Sequence, residues 1–406
     1  MFGCFFMRKI IRISDSVLCF ICIFIFTFVI IGNAVLPDEI TKSDNSNACF
    51  SPLYTCSASK NITDVDLQPN GKNAETVKLL GAVPVKEIRV KSDNFETVFV
   101  SGEAFGIKLY TDGVIVIGTQ GVETKNGKRI NPAEEAGIET GDIIVSVNKT
   151  KVYSSLEVTE ILNDNNGNPY DIRIKRDGRY RVFTLKPVYS YREGCYKAGM
   201  WVRDSTAGIG TVTFFNPKRG TFAALGHQIN DVDTNELMPL LKGEAVRTNV
   251  TGVQMAKKNE AGSLLCDFEN DVIGSLKENT PCGLYGKYNY ISELSKPYTV
   301  APKQEIKKGR AQIITTLSGK KPEAYEIEIL RISYNKLDSG RDLVFKVTDK
   351  RLLKRTGGIV QGMSGSPIVQ NNKLVGAVTH VIINSPQKGY GIFAETMLDE
   401  TEKINK

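Results

Sequence analysis

Ser364, a serine near the C-terminus, lies in a glycine-rich run that reads GMSGSP from Gly362 to Pro367. Glycines let a chain turn tightly, so the serine hydroxyl can be exposed while nearby backbone N–H groups converge on one point. Donors arranged in this way stabilise the negative charge that develops on a carbonyl oxygen under attack. The run therefore predicts a nucleophile for acyl transfer at Ser364.

A serine hydroxyl is a weak nucleophile unless a base removes its proton. The sequence has 2 histidines, so the search for that base is short. His227 follows the apolar run from Phe222 to Leu225, opens a polar turn and precedes Ser364 in the chain. His380 follows the nucleophile within a strand-like run, which favours a structural residue or one packed near the site. We predict that His227 is the base.

The serine run is similar to the Gly-x-Ser-Gly-x-Pro nucleophile loop of chymotrypsin-like peptidases, in which the histidine also precedes the serine. The turn at Asn371-Asn372 and the strand-like run Leu374–Val381 match the hairpin expected after that loop. The resemblance implies an oxyanion hole made by the backbone N–H groups of Gly362 and Ser364.

A second motif, in the run from Asn131 to Asn148, reads NPAEEAGIETGDIIVSVN. Its proline can start a short helix, its first glycine can end that helix, and the Gly-Asp pair then turns the chain into a strand. The run resembles the PDZ domains attached to bacterial exported proteases, and the likeness extends over residues 102–187.

A PDZ domain binds an extended peptide by adding it to a strand edge and holds its terminal carboxylate with backbone N–H groups. The resemblance places the carboxylate loop at Phe105-Gly106-Ile107 and the peptide between that strand and a helix at Ser155–Leu162. Peptide C-termini are thus the expected ligands. The alternative is a degenerate PDZ domain that only braces the next domain.

Four stretches carry a closer resemblance: Trp201–Phe214, Ala224–Ile229, Lys308–Ile313 and Gly357–Ile368. They are similar to the stage IV sporulation protein B peptidase family, whose members have an N-terminal membrane segment, a PDZ domain and a C-terminal serine peptidase domain. The resemblance implies an endospore-forming bacterium, secretion from the forespore into the intermembrane space, and self-cleavage. It also implies cleavage of a membrane-bound protein partner, which begins the activation of a late sigma factor in the mother cell.

In that family an acidic residue shortly before the nucleophile is the proposed third catalytic residue, and Asp349 occupies that position here. Asp349 is closer to Ser364 than the acid of a chymotrypsin-like enzyme is to its serine, and it could also be a turn residue after a strand. Asp231 and Asp233 are the alternatives. Met363 stands where digestive enzymes have an aspartate that pairs with a newly cut N-terminus, so that activation switch is not available here.

The sequence after Cys195 consists of short β-type runs separated by Gly, Pro, Asn and Asp, so we expect strands to position the candidate catalytic residues. Examples are Gly210–Phe215, Ala311–Thr316, Tyr325–Leu330, Leu343–Val347 and Leu374–Val381. Closely spaced short strands are typical of an antiparallel β-barrel or sandwich. We predict a mainly β protein: an N-terminal membrane segment, an α+β PDZ domain, and a chymotrypsin-like antiparallel β-barrel peptidase domain.

The N-terminus carries three cations, Arg8, Lys9 and Arg12, before an apolar run at Val17–Ile31 that continues less purely to Leu36. This charge order predicts that the N-terminus stays in the cytoplasm and that the rest is exported. The run to Leu36 is long enough to span a membrane. We favour a retained anchor over a signal peptide cleaved at the small-residue site Gly32-Asn33-Ala34.

The sequence divides into four parts: a membrane anchor at 1–36, a polar tether with lead-in strands at 37–95, the PDZ domain at 96–190, and the peptidase domain at 191–406. The alternative function is a catalytically inactive PDZ scaffold that recruits a membrane protein. An intact GMSGS run preceded by a histidine argues for the peptidase.

Composition excludes several other classes. The net charge of +7 is scattered and accompanies no nucleic-acid motif, so we expect no nucleic-acid partner. Neither the 8 cysteines nor the 2 histidines form a zinc pattern, so we expect neither a metal nor an organic cofactor. Cys49 and Cys56 could pair in an oxidising compartment, although their spacing does not decide it.

Overall fold

The computed structural model describes residues 2–42, 49–51, 53–58, 73–92, 96–164, 166–334 and 340–404. Strands make up 52% and helices 16% of the chain, so the predicted mainly β class is confirmed. The chain begins with helix α1 (Phe2–Val35). Within α1, the segment Val17–Val35 is long and apolar enough to cross a membrane.

A five-stranded sheet follows α1 in the segment predicted to be a tether. Its strands are β1 (Glu39–Lys42), β2 (Cys49–Ser51), β3 (Tyr54–Ala58), β4 (Asn73–Leu79) and β5 (Val83–Ser92), paired in the order β1-β5-β4-β3-β2. The last turns of α1 pack on it: Tyr54 donates to the carbonyl of Phe28 at 2.8 Å, and Lys86 donates to that of Leu36 at 2.7 Å. The sequence predicts a polar tether with lead-in strands over 37–95. The lead-in strands correspond to β4 and β5, and strands β1, β2 and β3 also form in the part expected to be a tether. The many polar residues of these strands obscure the alternation of apolar and polar positions on which strand prediction depends.

The PDZ region contains one long strand, several short strands and two helices, and it has its own apolar core. Its elements are β6 (Thr97–Val100), β7 (Ala104–Thr119), β8 (Val122–Glu123), β9 (Arg129–Ile130), α2 (Pro132–Ala136), β10 (Ile143–Val147), β11 (Thr150–Lys151), α3 (Ser155–Asp164), β12 (Tyr170–Arg176), β13 (Arg179–Leu185), β14 (Val188–Ser190) and β15 (Cys195–Lys197). Helix α2 forms as its sequence predicts: the Asn131 side chain caps its first turn, and Gly137 ends it at a φ of 87°. The adjoining turn is fixed by Arg176, which pairs with the buried Asp142 at 2.6 Å.

The peptidase region is built of long, paired strands. Its elements are β16 (Met200–Asn216), β17 (Thr221–Ala224), β18 (Leu240–Gln254), β19 (Ser263–Thr280), β20 (Gly283–Tyr288), β21 (Lys296–Val300), a 3₁₀ helix (Lys303–Glu305), β22 (Gly309–Thr315), β23 (Glu323–Ile332), β24 (Leu343–Val347), α4 (Lys350–Thr356), β25 (Pro367–Gln370), β26 (Lys373–Val381), β27 (Lys388–Phe393) and α5 (Ala394–Lys403). The strand pairings close two six-stranded barrels. The first has the order β7-β16-β17-β20-β19-β18, and the second has the order β22-β23-β24-β27-β26-β25. The apolar core around Phe105 and Phe222 belongs to the first barrel, and the core around Phe345 and Met363 belongs to the second.

Two long strands, β7 and β16, belong to both regions. The first half of β7 pairs with β16 and β18 in the first barrel. Its second half still pairs with β16 on one edge, and pairs with β10 of the PDZ core on the other. A boundary between residues 190 and 191 therefore does not separate two independent sheets. Sequence alone places the PDZ motif correctly but does not show that one strand extends into the neighbouring sheet.

Candidate active site and peptide groove

Ser364 lies in a tight loop before β25, in which Gly362 and Gly365 have φ angles of 94° and 93°. A Cβ on Gly365 would lie 2.0 Å from the carbonyl oxygen of Thr211, so the site requires glycine. Thr211 also fixes the loop to β16, because its N–H donates to the Ser364 carbonyl and its hydroxyl to the Gly362 carbonyl, each at 2.8 Å. Met363 points the other way, into the peptidase core. The serine is thus held by main-chain contacts on one side and apolar packing on the other.

His227 follows β17 after a reversal in which Leu225 and Gly226 have φ angles of 66° and 70°. Its half-buried ring places Nδ1 2.8 Å from the carbonyl oxygen of Gln228. A carbonyl oxygen can only accept, so Nδ1 carries the proton and Nε2 is the free basic nitrogen. Burial lowers the pKa of His227, and the bond to Gln228 only partly opposes this effect. The ring is therefore neutral near neutral pH, as a general base must be.

His380 lies beside His227. The two ring centroids are 4.7 Å apart, and the ring planes are tilted by 36°. Partial burial, the proximity of His227 and the charge of Arg341 lower the pKa of His380 to about 4. His380 therefore lies beside the predicted base, with its side chain exposed to solvent.

Thr379 connects the Ser364 loop with the two histidines. The Ser364 hydroxyl donates to the Thr379 carbonyl oxygen at 2.7 Å, next in sequence to His380. Gly226, which precedes His227, lies against the Thr379 side chain, since a Cβ there would be 2.9 Å from Thr379 Cγ2. The structure therefore brings Ser364, His227 and His380 to one place, with the serine hydroxyl bonded to a backbone carbonyl instead of a histidine.

The loop also presents two free backbone donors. In the part of the chain that the structure describes, the N–H groups of Gly362 and Ser364 donate no hydrogen bond. The intervening N–H of Met363 and the following ones of Gly365 and Ser366 are all bonded within the protein. Unpaired amides on either side of a bonded one are available to receive an oxyanion.

Asp349 lies away from this site, at the N-terminal cap of α4. Its carboxylate accepts from the backbone N–H of Arg351 at 2.8 Å and from that of Glu326 at 3.3 Å, and it pairs with the Arg351 guanidinium at 2.9 Å. These bonds to Arg351 hold the pKa of Asp349 below its ordinary value. None of its contacts among the described residues is with His227. The structure thus favours the cap interpretation of Asp349 over a catalytic one.

The alternatives, Asp231 and Asp233, belong to an ion-pair cluster beside the His227 loop. Asp231 is 2% exposed and accepts from the Arg203 guanidinium at 2.5 Å. It also accepts from the backbone N–H groups of Asp233 and Thr234, each at 3.0 Å. Burial opposes its ionisation, but the Thr234 and Arg203 bonds outweigh it and lower the pKa of Asp231. Arg203 also holds Asp233 at 2.7 Å, so neither carboxylate orients His227 in the described structure.

The predicted carboxylate loop Phe105-Gly106-Ile107 lies inside β7, within the peptidase sheet. It pairs with β16 on one side and with β18 on the other. A peptide cannot add to a strand whose two edges are paired, so this position for the PDZ groove is wrong. Position 106 requires glycine because the sheet is closely packed there: a Cβ on Gly106 would lie 2.8 Å from a methyl of Val246.

An open groove of about 410 Å³ lies instead between α3 and the start of β16. Val158 and Leu162 line it from the helix, and Ala198–Val202 lines it from the strand side. The N–H groups of Ala198 and Gly199 donate no hydrogen bond within the described residues, and Gly199 has a φ of 71°. A helix, an open strand and free amides before that strand are the parts with which a PDZ domain captures a peptide C-terminus.

Sequence reasoning missed this groove because two segments carry the same signal. Ala198-Gly199-Met200 and Phe105-Gly106-Ile107 both place a glycine between apolar residues at a strand. Only the pairing partners of β7 and β16 distinguish them. The lining carries charges of both signs, from Arg129 and Arg192 and from Glu123 and Glu193.

The fold and this serine loop define a serine peptidase joined to a PDZ domain, and comparison with known families agrees. The profile of the SpoIVB peptidase S55 family matches residues 194–398, and that of the PDZ domain matches residues 106–186. The chain belongs to the SpoIVB peptidase S55 family. None of the curated proteins compared with it is significantly similar.

Solved structures resemble parts of the chain. The PDZ domain of the SdrC-like protein from Listeria monocytogenes is 21% identical, with a TM-score of 0.19, covering 22% of this chain and 87% of that one. Two structures of Rv3671c from M. tuberculosis H37Rv in an inactive form, one described as a protease, are each 14% identical with a TM-score of 0.27. Each covers 49% of this chain, and the matches span 82% and 85% of the Rv3671c chains.

Proposed function

We propose that this chain is a membrane-anchored serine endopeptidase of endospore formation, with Ser364 as nucleophile and His227 as general base. The observation that carries the proposal is the meeting of the serine loop and the His227 turn at Thr379, in a chain of the SpoIVB peptidase S55 family. The proposed substrates are the chain itself and a membrane-bound protein whose cleavage begins late sigma-factor activation. The proposed location is the intermembrane space, after secretion from the forespore.

In the proposed reaction the Ser364 hydroxyl leaves the Thr379 carbonyl and turns to Nε2 of His227. Exchanging one neutral hydrogen bond for another costs roughly 1 kcal/mol or less. His227 accepts the proton as Ser364 Oγ attacks the peptide carbonyl carbon, and the amides of Gly362 and Ser364 receive the oxyanion. The protonated His227 then gives its proton to the leaving amine, and water hydrolyses the acyl-enzyme with the same groups.

The Gln228 carbonyl has the orienting role in this scheme. It accepts from Nδ1 of His227 at 2.8 Å, so it fixes the tautomer without a carboxylate. A neutral carbonyl stabilises an imidazolium less than a carboxylate does, so we expect slower turnover than in an enzyme with a complete triad. Slow turnover suits a peptidase that cuts few bonds.

The groove between α3 and β16 is the proposed peptide site of the PDZ domain. The free amides of Ala198 and Gly199 would hold the carboxylate. This capture would recruit a membrane-bound partner to the peptidase.

Helix α1 is the proposed anchor, with the PDZ and peptidase regions outside the cytoplasm. The candidate cleavage site Gly32-Asn33-Ala34 lies within α1, and a Cβ on Gly32 would be 2.7 Å from the Tyr54 ring. A cleavage site that is helical and packed against a folded sheet supports a retained anchor. The possible Cys49–Cys56 disulfide lies outside the side chains that the structure describes.

One observation favours the second candidate, a catalytically inactive scaffold. The Ser364 hydroxyl is bonded to Thr379 and not to a histidine. In that case only peptide capture by the PDZ groove would be functional.

An active-site serine phosphonate distinguishes the two functions on the purified full-length chain in detergent. We expect Ser364 to be labelled and Ser364→Ala to abolish both labelling and self-cleavage. Ser366→Ala is the matched control, because Ser366 is 0% exposed and cannot reach a substrate. N-terminal sequencing of fragments from wild type and Ser364→Ala then identifies the cut bond. Self-cleavage by Ser364→Ala at the wild-type rate contradicts the assignment.

A further inference from the structure

Strand β16 runs from the PDZ groove to the nucleophile loop. One of its edges pairs with β7 from Met200 to Thr211. Among the described residues, its other edge meets a partner strand only from Val212 onward, where β17 pairs with it. An open strand edge therefore joins the peptide groove to the active site.

Alternation along the strand identifies the residues whose backbone N–H and C=O groups point to this open edge. The N–H of Thr211 points to the open side, because it donates to the Ser364 carbonyl at 2.8 Å. Backbone groups of successive strand residues point to opposite edges, so those of Ile209, Ala207 and Ser205 point the same way as Thr211. Ser205 and Ala207 are also exposed to solvent. Three residues thus offer free donors and acceptors in a row that ends at the nucleophile.

We propose that this edge is the docking strand for the C-terminal segment of the substrate, which adds antiparallel to β16 with its carboxylate at Gly199 and its scissile bond at Ser364. The inference rests on the proposed peptidase function and names the substrate class. The free amides at the start of β16 determine the direction, because they bind the carboxylate end. The antiparallel peptide then runs with its N-terminal side toward the nucleophile.

The length of the edge sets a length for the substrate. From Met200 to Gly210, ten steps of about 3.3 Å give at most roughly 33 Å, because the pairing of β16 with β7 has register breaks at Trp201/Val202 and Arg203/Ser205. An extended peptide needs about 11 residues to cover that distance. The membrane-bound partner is thus a polypeptide that ends in a free carboxylate about 11 residues beyond the scissile bond, in an extended, unfolded tail.

Hydrogen bonds between β16 and α3 fix the groove in which such a tail would bind. The Asp204 carboxylate on β16 accepts from the Ser155 N–H at 2.7 Å and from the Ser155 hydroxyl at 3.0 Å, which fixes the start of α3 over the strand. The negative charge of Asp204 disfavours an acidic residue in the middle of the path. The docked tail should therefore be uncharged or basic before its terminal carboxylate.

The test uses the full-length chain in detergent and donor–quencher peptides with a randomised core. Spacers of about 3, 11 or 19 uncharged residues follow the core, ending in a carboxylate or an amide. We expect kcat/KM to be roughly tenfold higher for the middle spacer with a free carboxylate, since a few added hydrogen bonds stabilise binding by about 1 kcal/mol each or less. Equal rates for all spacers and both end groups overturn the inference and leave the peptidase function intact.

Two variants test the edge itself. Ala207→Pro removes an outward N–H without removing a bond to β7, and proline is tolerated on strand edges. Ala207→Leu keeps the N–H and is the matched control. We expect Ala207→Pro to abolish the advantage of the middle spacer and Ala207→Leu to retain it. Peptides N-methylated at alternate spacer positions repeat the test on unaltered enzyme if Ala207→Pro does not fold.

A binding measurement distinguishes failure of this docking inference from failure of the proposed peptidase function. If no peptide is cleaved and no phosphonate labels Ser364, the peptidase function is refuted. Fluorescence anisotropy with the Ser364→Ala protein and the middle-spacer peptide then decides the docking question. Loss of affinity by about tenfold on spacer N-methylation supports the docking strand. Unchanged affinity overturns it and leaves capture by the PDZ groove alone.

Discussion

Asp231→Asn distinguishes a structural carboxylate from a catalytic one. The substitution keeps the shape of the side chain and the acceptor for the Asp233 and Thr234 amides, but it removes the charge that faces Arg203 at 2.5 Å. A hydrogen bond to a charged group contributes about 1.5–3 kcal/mol. Arg203 keeps its contact with Asp233 at 2.7 Å, so we expect a loss near the middle of that range, about 2 kcal/mol.

The assay measures thermal unfolding and peptide turnover on the same samples. A loss of about 2 kcal/mol should lower Tm by roughly 4–8 °C for a folded region of this size. Turnover should fall by no more than about tenfold, since the Gln228 carbonyl still fixes the His227 tautomer. Asp233→Asn is the control, and its side chain is 45% exposed, so its effect on Tm should be small.

The pH dependence of the Tm difference has a definite sign. Because the pKa of Asp231 is lowered in the folded protein, its stabilisation is complete above the unfolded pKa of about 3.9. The stabilisation is lost as the pH falls through the folded pKa. The Tm difference between wild type and Asp231→Asn should thus be full at neutral pH and shrink in acid. A loss of turnover by about 10⁴ with unchanged Tm would refute this reasoning and identify Asp231 as the residue that orients His227.

Four further substitutions test other parts of the molecule. His227→Ala should lower kcat by about 10³ or more. His380→Ala should move the acidic limb of the pH–rate profile to higher pH, because removing the neighbouring ring exposes His227 to solvent and raises its pKa. An acidic limb that stays at the wild-type pH contradicts this prediction. Asp349→Asn should cost about 1 kcal/mol through the weakened α4 cap and leave turnover unchanged, as thermal unfolding and peptide assays will show. Gly106→Val should lower Tm and all activities together, because its side chain would meet Val246 in the sheet; selective loss of peptide binding would contradict the strand placement.

The sequence by itself determined the parts that depend on local chemistry. The nucleophile loop needs glycines at fixed positions around Ser364, and such a run is readable wherever the fold places it. The apolar length of α1 and the capped helix α2 follow from the same kind of local rule. The prediction that His227 is the base also comes from the sequence, because only 2 histidines exist and one precedes the serine.

Only the tertiary structure decided which groups meet across the chain. Glycines at 106 and 199 look alike in sequence, yet the first is enclosed between two strands and the second opens onto a groove, because strand pairing is a long-range property. Asp349 and Asp231 are both plausible acids by position, but Arg351 and Arg203 hold their carboxylates elsewhere. The contact of Ser364 with the Thr379 carbonyl likewise depends on β26 folding against the nucleophile loop, and no local pattern encodes that contact.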